Sequence, residues 1–269
     1  MADWKRRALG DLPVYQAATM AWLPGVVQGF TTRKGGASKP PYDTLNLGGH
    51  VGDVSAFVQD NRQRLWADLG MVEHQVALAE QTHGSTVALV TEGGATPVPG
   101  TDALITNTRD VLLMMLYADC VPVYLIDPTT RAVGLAHSGW RGTVANITAR
   151  TMAAMTAQFG SQPQSCLAAI GPCIGGDSYE VGRDVADQFR SMADLRGGTA
   201  VYPKSELSGT YTLNLRQVIF SQLLGAGLRA DYVAVSDEDT FQNKRDFFSY
   251  RRDGAQTGRM AAFLGIRSS

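Results

Sequence analysis

The sequence predicts an α+β fold. Six β-type runs follow one another between Val76 and Ala136, with helical patterns before and after the block rather than between the strands, an order that disfavours a doubly wound parallel sheet. No repeat of fixed period and no long charged or Pro/Ser-rich linker interrupts the 269 residues, so a single domain over 1–269 is expected.

Val26 to Thr32 reads as the first strand. The Gly- and Pro-rich stretch from Arg33 to Gly52 is too long for a bare connection, which marks it as functional. Asp53 or Ser55 suits the N-cap of a helix whose Val54, Val58, Leu65 and Leu69 share one face, with Gly70 as its stop. The runs of the block are Val76 to Ala79, Thr86 to Thr91, Ala103 to Thr106, Val111 to Tyr117, Val123 to Ile126 and Ala132 to Ala136. A second helix carries Val144, Ile147, Met155 and Phe159 and closes at Gly160. A strand from Cys166 to Ile170, helices over about Val181 to Ala193 and Leu215 to Leu224, and strands at Tyr232 to Val235 and Arg259 to Ile266 complete the chain. The Gly171-Pro172-Cys173-Ile174-Gly175-Gly176 segment lacks both the Lys-Ser/Thr of a phosphate loop and the GxGxxG spacing, and reads as a turn with close backbone approach.

Composition narrows the functional classes. With 44% hydrophobic and 18% charged residues the chain is ordinary for a globular protein with a sizeable core. A formal net charge of -1 supplies no basic field, so no nucleic-acid partner is expected. Lys5, Arg6 and Arg7 are followed by Asp11, Pro13 and Gln16 rather than an apolar stretch, and the run from Val111 to Ala118 is far shorter than the roughly 20 residues of a membrane span. Neither a signal peptide nor membrane association is expected. Three cysteines, at 120, 166 and 173, are too few for a disulfide framework and suit a reducing cytoplasm.

Three polar residues stand where apolar runs give way to turns: His83 in Gln81-Thr82-His83-Gly84, Cys120 in Asp119-Cys120-Val121-Pro122, and His137 in His137-Ser138-Gly139-Trp140. Their separations match no local zinc-finger spacing, and each alone is an ordinary half-buried residue. The repetition sets them apart. Two imidazoles and a thiolate are good zinc ligands, and three protein ligands leave the fourth tetrahedral position open, the pattern of a catalytic site.

With those pieces placed, the chain resembles the YfiH family, also described as the laccase-domain, polyphenol-oxidoreductase or peptidoglycan-editing-factor family. The resemblance runs nearly end to end. It is carried by Arg33-Lys34-Gly35-Gly36-Ala37-Ser38, Asn46-Leu47-Gly48 with Val51-Gly52-Asp53, Gln81-Thr82-His83-Gly84, Thr101-Asp102-Ala103-Leu104-Ile105-Thr106, Ala118-Asp119-Cys120-Val121-Pro122, His137-Ser138-Gly139-Trp140-Arg141-Gly142, Ile170-Gly171-Pro172-Cys173-Ile174 and Phe247-Phe248-Ser249-Tyr250-Arg251-Arg252-Asp253. It implies mixed sheets in α/β/β/α layers and one zinc ion on His83, Cys120 and His137. It further implies purine nucleoside phosphorylase activity on adenosine, inosine and methylthioadenosine, together with adenosine deamination. Where the family commonly has a Cys-Thr pair before Phe-Phe-Ser-Tyr, this chain has Asp239-Thr240.

The residues permit assignments within that chemistry. Asp119 is either a proton shuttle for deamination or a carboxylate orienting a histidine ligand. Arg141 and Arg33 are candidates for a bidentate grip on phosphate, with surface ion pairs as the alternative, and Asn46 and Gln81 for hydrogen bonds to ribose or base. Trp140 either stacks on a purine or anchors the core. Arg251 and Arg252 beside Asp253 read as an ion-pair cluster on a hairpin. Small-molecule substrates are the expected partners, and the sequence sets no oligomeric state.

Competing readings differ in what they ask of the site. Copper can occupy such ligands in vitro, but four histidines cannot furnish a blue-copper centre plus a three-copper cluster. Cys120 as nucleophile with a histidine base would give an amidase acting on cell-wall precursors. A non-catalytic, zinc-stabilised interaction protein would close the metal with a fourth ligand, for which Asp119 and His50 are the candidates.

Overall fold

The computed structural model describes residues 4–94, 96–190, 192, 199–205 and 209–268. In chain order its elements are β1 (Trp4–Leu9), β2 (Leu12–Ala17), β3 (Val26–Thr31), α1 (Ser55–Asp68), β4 (Val76–Leu78), β5 (Val87–Leu89), β6 (Ala103–Thr106), β7 (Leu112–Tyr117), β8 (Val121–Asp127) and β9 (Ala132–Ser138). They continue with α2 (Trp140–Val144), α3 (Ile147–Phe159), β10 (Leu167–Ile170), β11 (Glu180–Gly182), α4 (Arg183–Arg190), β12 (Val201–Ser205), β13 (Thr210–Leu213), α5 (Leu215–Gly225), β14 (Val233–Val235), α6 (Tyr250–Asp253) and β15 (Met260–Ile266).

Two six-stranded mixed sheets, in the orders β1-β2-β3-β15-β7-β4 and β14-β10-β8-β9-β6-β5, pack face to face, and β11-β13-β12 form a third, smaller sheet. Phe30, Leu113, Met115 and Ala262 of the first large sheet meet Tyr124, Ile126, Val133 and Leu135 of the second in one buried cluster. The outer face of the first sheet, with Leu112, Met114 and Phe263, is covered by Leu65, Trp66 and Leu69 of α1 and its C-cap. That of the second, with Val121, Val123 and Leu125, is covered by Met152 and Met155 of α3 and Val218, Ile219 and Leu223 of α5. The layers are therefore α/β/β/α. Strands buried on both faces lose the polar alternation of a one-sided sheet, which is why Leu112 to Tyr117 and Val121 to Ile126 read as almost unbroken apolar runs.

Local departures from the sequence expectations have identifiable causes. The carboxylate of Asp53 is taken by Ser38 Oγ and Asn46 Nδ2, so α1 starts from Val54 with no side-chain cap, and Ser55 is its first helical residue. The expected helix through Val144 is two helices, because Asn146 adopts a left-handed conformation and caps α3 by accepting from the Ala149 amide. Val181 pairs with Tyr211 in β11, so the helix expected from Val181 begins at Arg183; Ala193 lies outside the described residues. Arg251 and Arg252 sit on the short helix α6 rather than a hairpin.

The β1-β2 hairpin was not signalled by the sequence and is tied down by Asp246. That fully buried carboxylate accepts from Tyr15 Oη at 3.0 Å and lies 3.2 Å from Arg6 Nε, 3.5 Å from Lys34 Nζ and 3.4 Å from Arg245 Nε. Among the described residues no helix is long and apolar enough to cross a membrane.

Candidate metal centre and substrate cavity

Two of the three strand-end residues stand on chain segments that pass from one large sheet to the other. His83 lies between β4 and β5, and Cys120 closes the three-residue turn between β7 and β8. His137 lies on β9, opposite Pro122 of β8. His83 and Asp119 both take positive φ, 60° and 89°, a left-handed geometry that turns the chain sharply at each crossing. The result is that the ligand atoms of His83, Cys120 and His137 lie within 4.8 Å of one another, and the two imidazoles meet edge to face at 4.9 Å. Among the described residues this is the one cluster of its kind.

Asp102 organises the trio. Its Oδ1 accepts from His137 Nδ1 at 2.9 Å and from the His83 amide at 3.0 Å, while Oδ2 accepts from the Gly84 amide at 2.7 Å and from Thr82 N and Oγ1, both at 3.1 Å. With Nδ1 so engaged, His137 has Nε2 left for a metal. Burial pushes the Asp102 carboxyl up, but the hydrogen bonds from His137 and Gly84 outweigh it and hold the group down at about 2. Cys120 and His137 are coupled: burial opposes charge on both, yet the imidazole draws the thiol down toward thiolate and the thiolate draws the imidazole up. A thiolate, a tautomer-fixed imidazole and an exposed second imidazole make a donor set whose chemistry would suit one transition-metal ion. Gly139 permits the approach, since a Cβ there would stand 3.1 Å from Cys120 Sγ and 3.2 Å from His83 Cδ2.

The trio forms part of the wall of a cavity of about 770 Å³, large enough for a nucleoside and an anion together. Arg141, Gln81 and Asp119 line it; Arg33 and Asn46 do not. Gln81 spends its amide on the backbone of Leu116, donating Nε2 to the carbonyl and accepting from the amide, both at 2.8 Å. Arg33 is committed to Asp43, through its carbonyl at 2.8 Å and its carboxylate at 3.2 Å, and lies over the Phe248 ring. Asn46 is fully buried and works on backbone and on Asp53, accepting from the amides of Gly48 and Arg259. Arg141 stacks on Trp140 at 4.4 Å, so the tryptophan packs on the arginine as well as lining the cavity.

Asp119 faces other partners than a histidine. Its carboxylate accepts from Thr240 Oγ1 at 2.7 Å, Ser249 Oγ at 2.9 Å and the Arg251 amide at 2.7 Å, while burial pushes it above the usual carboxylate range against those bonds. Thr240 thus keeps a task although Asp239 departs from the family pattern, and Asp239 itself accepts from Ser178 Oγ at 2.6 Å. The histidine-orienting carboxylate is Asp102. The sequence offered a signal for it, an acid in Thr101-Asp102-Ala103 at the mouth of a strand, but nothing that placed it beside His137.

Residues 27–267 match the family model described as multi-copper polyphenol oxidoreductase laccase. The chain belongs to that family. It is 38% identical over 270 residues to a protein named purine nucleoside phosphorylase YlmD from Geobacillus stearothermophilus, covering 94% of this chain and 97% of that one. It is 35% identical over 242 residues to purine nucleoside phosphorylase YfiH from Escherichia coli, covering 90% and 94%. The crystal structure of YlmD from Geobacillus stearothermophilus superposes with a TM-score of 0.92 at 36% identity over the whole of both chains. Relatives named as phosphorylases support an enzyme with small-molecule substrates. The family's copper designation is met here by one three-ligand cluster among the described residues and four histidines in the chain.

Proposed function

We propose that this chain is a zinc-dependent purine nucleoside phosphorylase acting on adenosine, inosine and methylthioadenosine, with adenosine deamination as a second activity. The observation that carries the proposal is the joining of the His-Cys-His trio to a cavity that also presents arginines and aromatic rings. A bound zinc ion would be held by His83, Cys120 and His137 and would supply Lewis acidity at an open coordination position.

The protein's own groups do the rest. Phosphorolysis joins a phosphate oxygen to C1′ as the C1′–N9 electron pair leaves with the purine, and the proton of hydrogen phosphate ends on the released base. Arginine guanidinium groups suit the anion, being always charged and forked. Trp140, Tyr179 and Tyr250 line the cavity and offer faces for the base. Asp119, already holding three donors, acts by fixing the turn that carries Cys120 rather than by carrying a proton. Incubation of the metal-loaded protein with inosine should release hypoxanthine and ribose 1-phosphate in equal amounts only when phosphate is present. Cleavage unchanged in phosphate-free buffer would make the reaction a hydrolysis and overturn the proposal.

One arrangement favours a second reading: Asp102, His137 and Cys120 stand in the acid, base and nucleophile order of a cysteine amidase. A thiolate bound to metal is not free to attack an acyl carbon. Alkylation of Cys120 blocked by stoichiometric zinc, with full phosphorolysis in that zinc-loaded state, would exclude the amidase role.

A further inference from the structure

Of the four arginines that line the cavity, Arg141 and Arg251 are exposed and Arg62 and Arg259 are half-buried. Arg251 donates to the Glu180 carbonyl at 2.6 Å and lies over Tyr179, and Arg141 stacks on Trp140. Arg62 and Arg259 are anchored by backbone carbonyls, and Arg259 lies farther from a ring, 6.0 Å from that of Tyr250. Arg62 Nε donates to Leu47 O at 3.0 Å, and Arg259 Nη1 donates to Thr257 O and Gly258 O at 2.8 and 3.1 Å. Neither forms an ion pair with a carboxylate among the described residues.

Both are set in place by the Asn46-Leu47-Gly48 segment. Asn46 Oδ1 accepts from the Arg259 amide at 2.9 Å, Leu47 supplies the carbonyl for Arg62, and Gly48 lies so close that a Cβ would stand 2.8 Å from Arg259 Cγ. Burial lowers the pKa of both guanidinium groups, as for cations taken from water without a full countercharge. His50, Arg62 and Arg259 all line the cavity, and burial and then the charges of the two arginines lower the pKa of His50. The charges of Cys120 and Asp119 act in turn on Arg259, which puts this wall within electrostatic reach of the ligand trio.

We propose that Arg62 and Arg259, with His50 beside them, form the subsite that binds inorganic phosphate as the second substrate. It rests on the phosphorolysis reading, and it assigns phosphate to this pair rather than to Arg141, whose guanidinium is turned onto an indole ring. Two half-buried guanidinium groups with unspent N–H donors and no ion-paired carboxylate among the described residues suit an anion, and a tetrahedral oxyanion accepts from both. The early loop then has a defined task, to hold the anion wall of the cavity.

The test is binding of inorganic phosphate to the folded, metal-loaded protein, followed by calorimetry and by phosphorus NMR. Arg62→Gln and Arg259→Gln should each weaken phosphate about tenfold or more, while Arg141→Gln should leave it within roughly twofold. In steady-state assays the first two should raise the phosphate Michaelis constant with little change in that for inosine. Arg62→Lys and Arg259→Lys keep the charge and show by intermediate affinity that the site, not the fold, has changed. Undiminished phosphate affinity in both glutamine variants overturns the subsite, even if inosine cleavage depends on phosphate. Binding that needs both arginines in a protein that cleaves no inosine supports the subsite and removes the phosphorylase reading instead.

Discussion

Asp102→Asn is the sharpest perturbation of the candidate metal centre, because it changes almost no volume and removes one of two acceptor oxygens. The carboxylate accepts five hydrogen bonds, two on Oδ1 and three on Oδ2. In either amide orientation an NH2 group faces at least two of those donors. Losing two hydrogen bonds to a charged acceptor at roughly 1.5 kcal/mol each, the low end because Thr82 and His83 are exposed, destabilises the apo fold by about 3 kcal/mol. His137 also loses the partner that fixes its tautomer, and loss of such a partner weakens metal binding about 10- to 100-fold, or roughly 1.4 to 2.8 kcal/mol. Zinc affinity would be measured by competition with a chromophoric chelator, and apo stability by urea unfolding. Thr82→Ala, which deletes only the hydroxyl bond to Oδ2, should shift both far less. A folded Asp102→Asn protein with the parent's zinc affinity would refute the argument that this carboxylate orients the ligand set.

Each of His83→Ala, Cys120→Ala and His137→Ala should abolish stoichiometric metal in elemental analysis while circular dichroism shows a folded protein; full retention in Cys120→Ala would remove it from the ligand set. Gly139→Ala should lower metal affinity about tenfold with a fold penalty of roughly 1 kcal/mol, because its methyl group would press on Cys120 Sγ and His83 Cδ2; chelator competition on the variant decides this. For Asp246, burial raises the carboxyl pKa, but Tyr15, Arg6 and Arg245 bring it below the usual range. Its stabilisation is therefore present above an unfolded pKa of about 3.9 and is lost as pH falls through the lower folded value. Asp246→Asn should cost roughly 1–2 kcal/mol at neutral pH, discounted for the exposed partners, and flatten the acid limb of a stability profile from urea melts.

The His-Cys-His cluster was legible in the sequence because strand ends are local features: an apolar run, a polar residue, then a glycine or proline. The central strands were legible for a related reason, since burial on both faces writes itself as uninterrupted Leu, Val and Met. The first hairpin was not, because β1 places Lys5, Arg6 and Arg7 at exposed positions of an edge strand and β2 carries Pro13, so neither has a strand-like composition. Roles that depend on where a side chain points were the least legible. Arg33 and Arg141 look alike in sequence, yet one is bound to Asp43 outside the cavity and the other lines it. Arg62 and Arg259 carried no signal at all, for each lies far from the other and from every ligand until Asn46 and Leu47 bring the chain together.

The crossings between the two sheets and the loop from Arg33 to Gly52 both contribute to one cavity, and they have very different freedom to change. The crossing that carries Cys120 is only three residues long, between β7 and β8, so that part of the wall is bound to the architecture itself. The loop is fastened largely through Asn61, whose side chain reaches Ala37, Ser38, Thr44 and Asn46, and it can be rewritten between those anchors without moving a strand. Over evolutionary time such a partition lets the loop side of the cavity vary while the His-Cys-His cluster stays fixed.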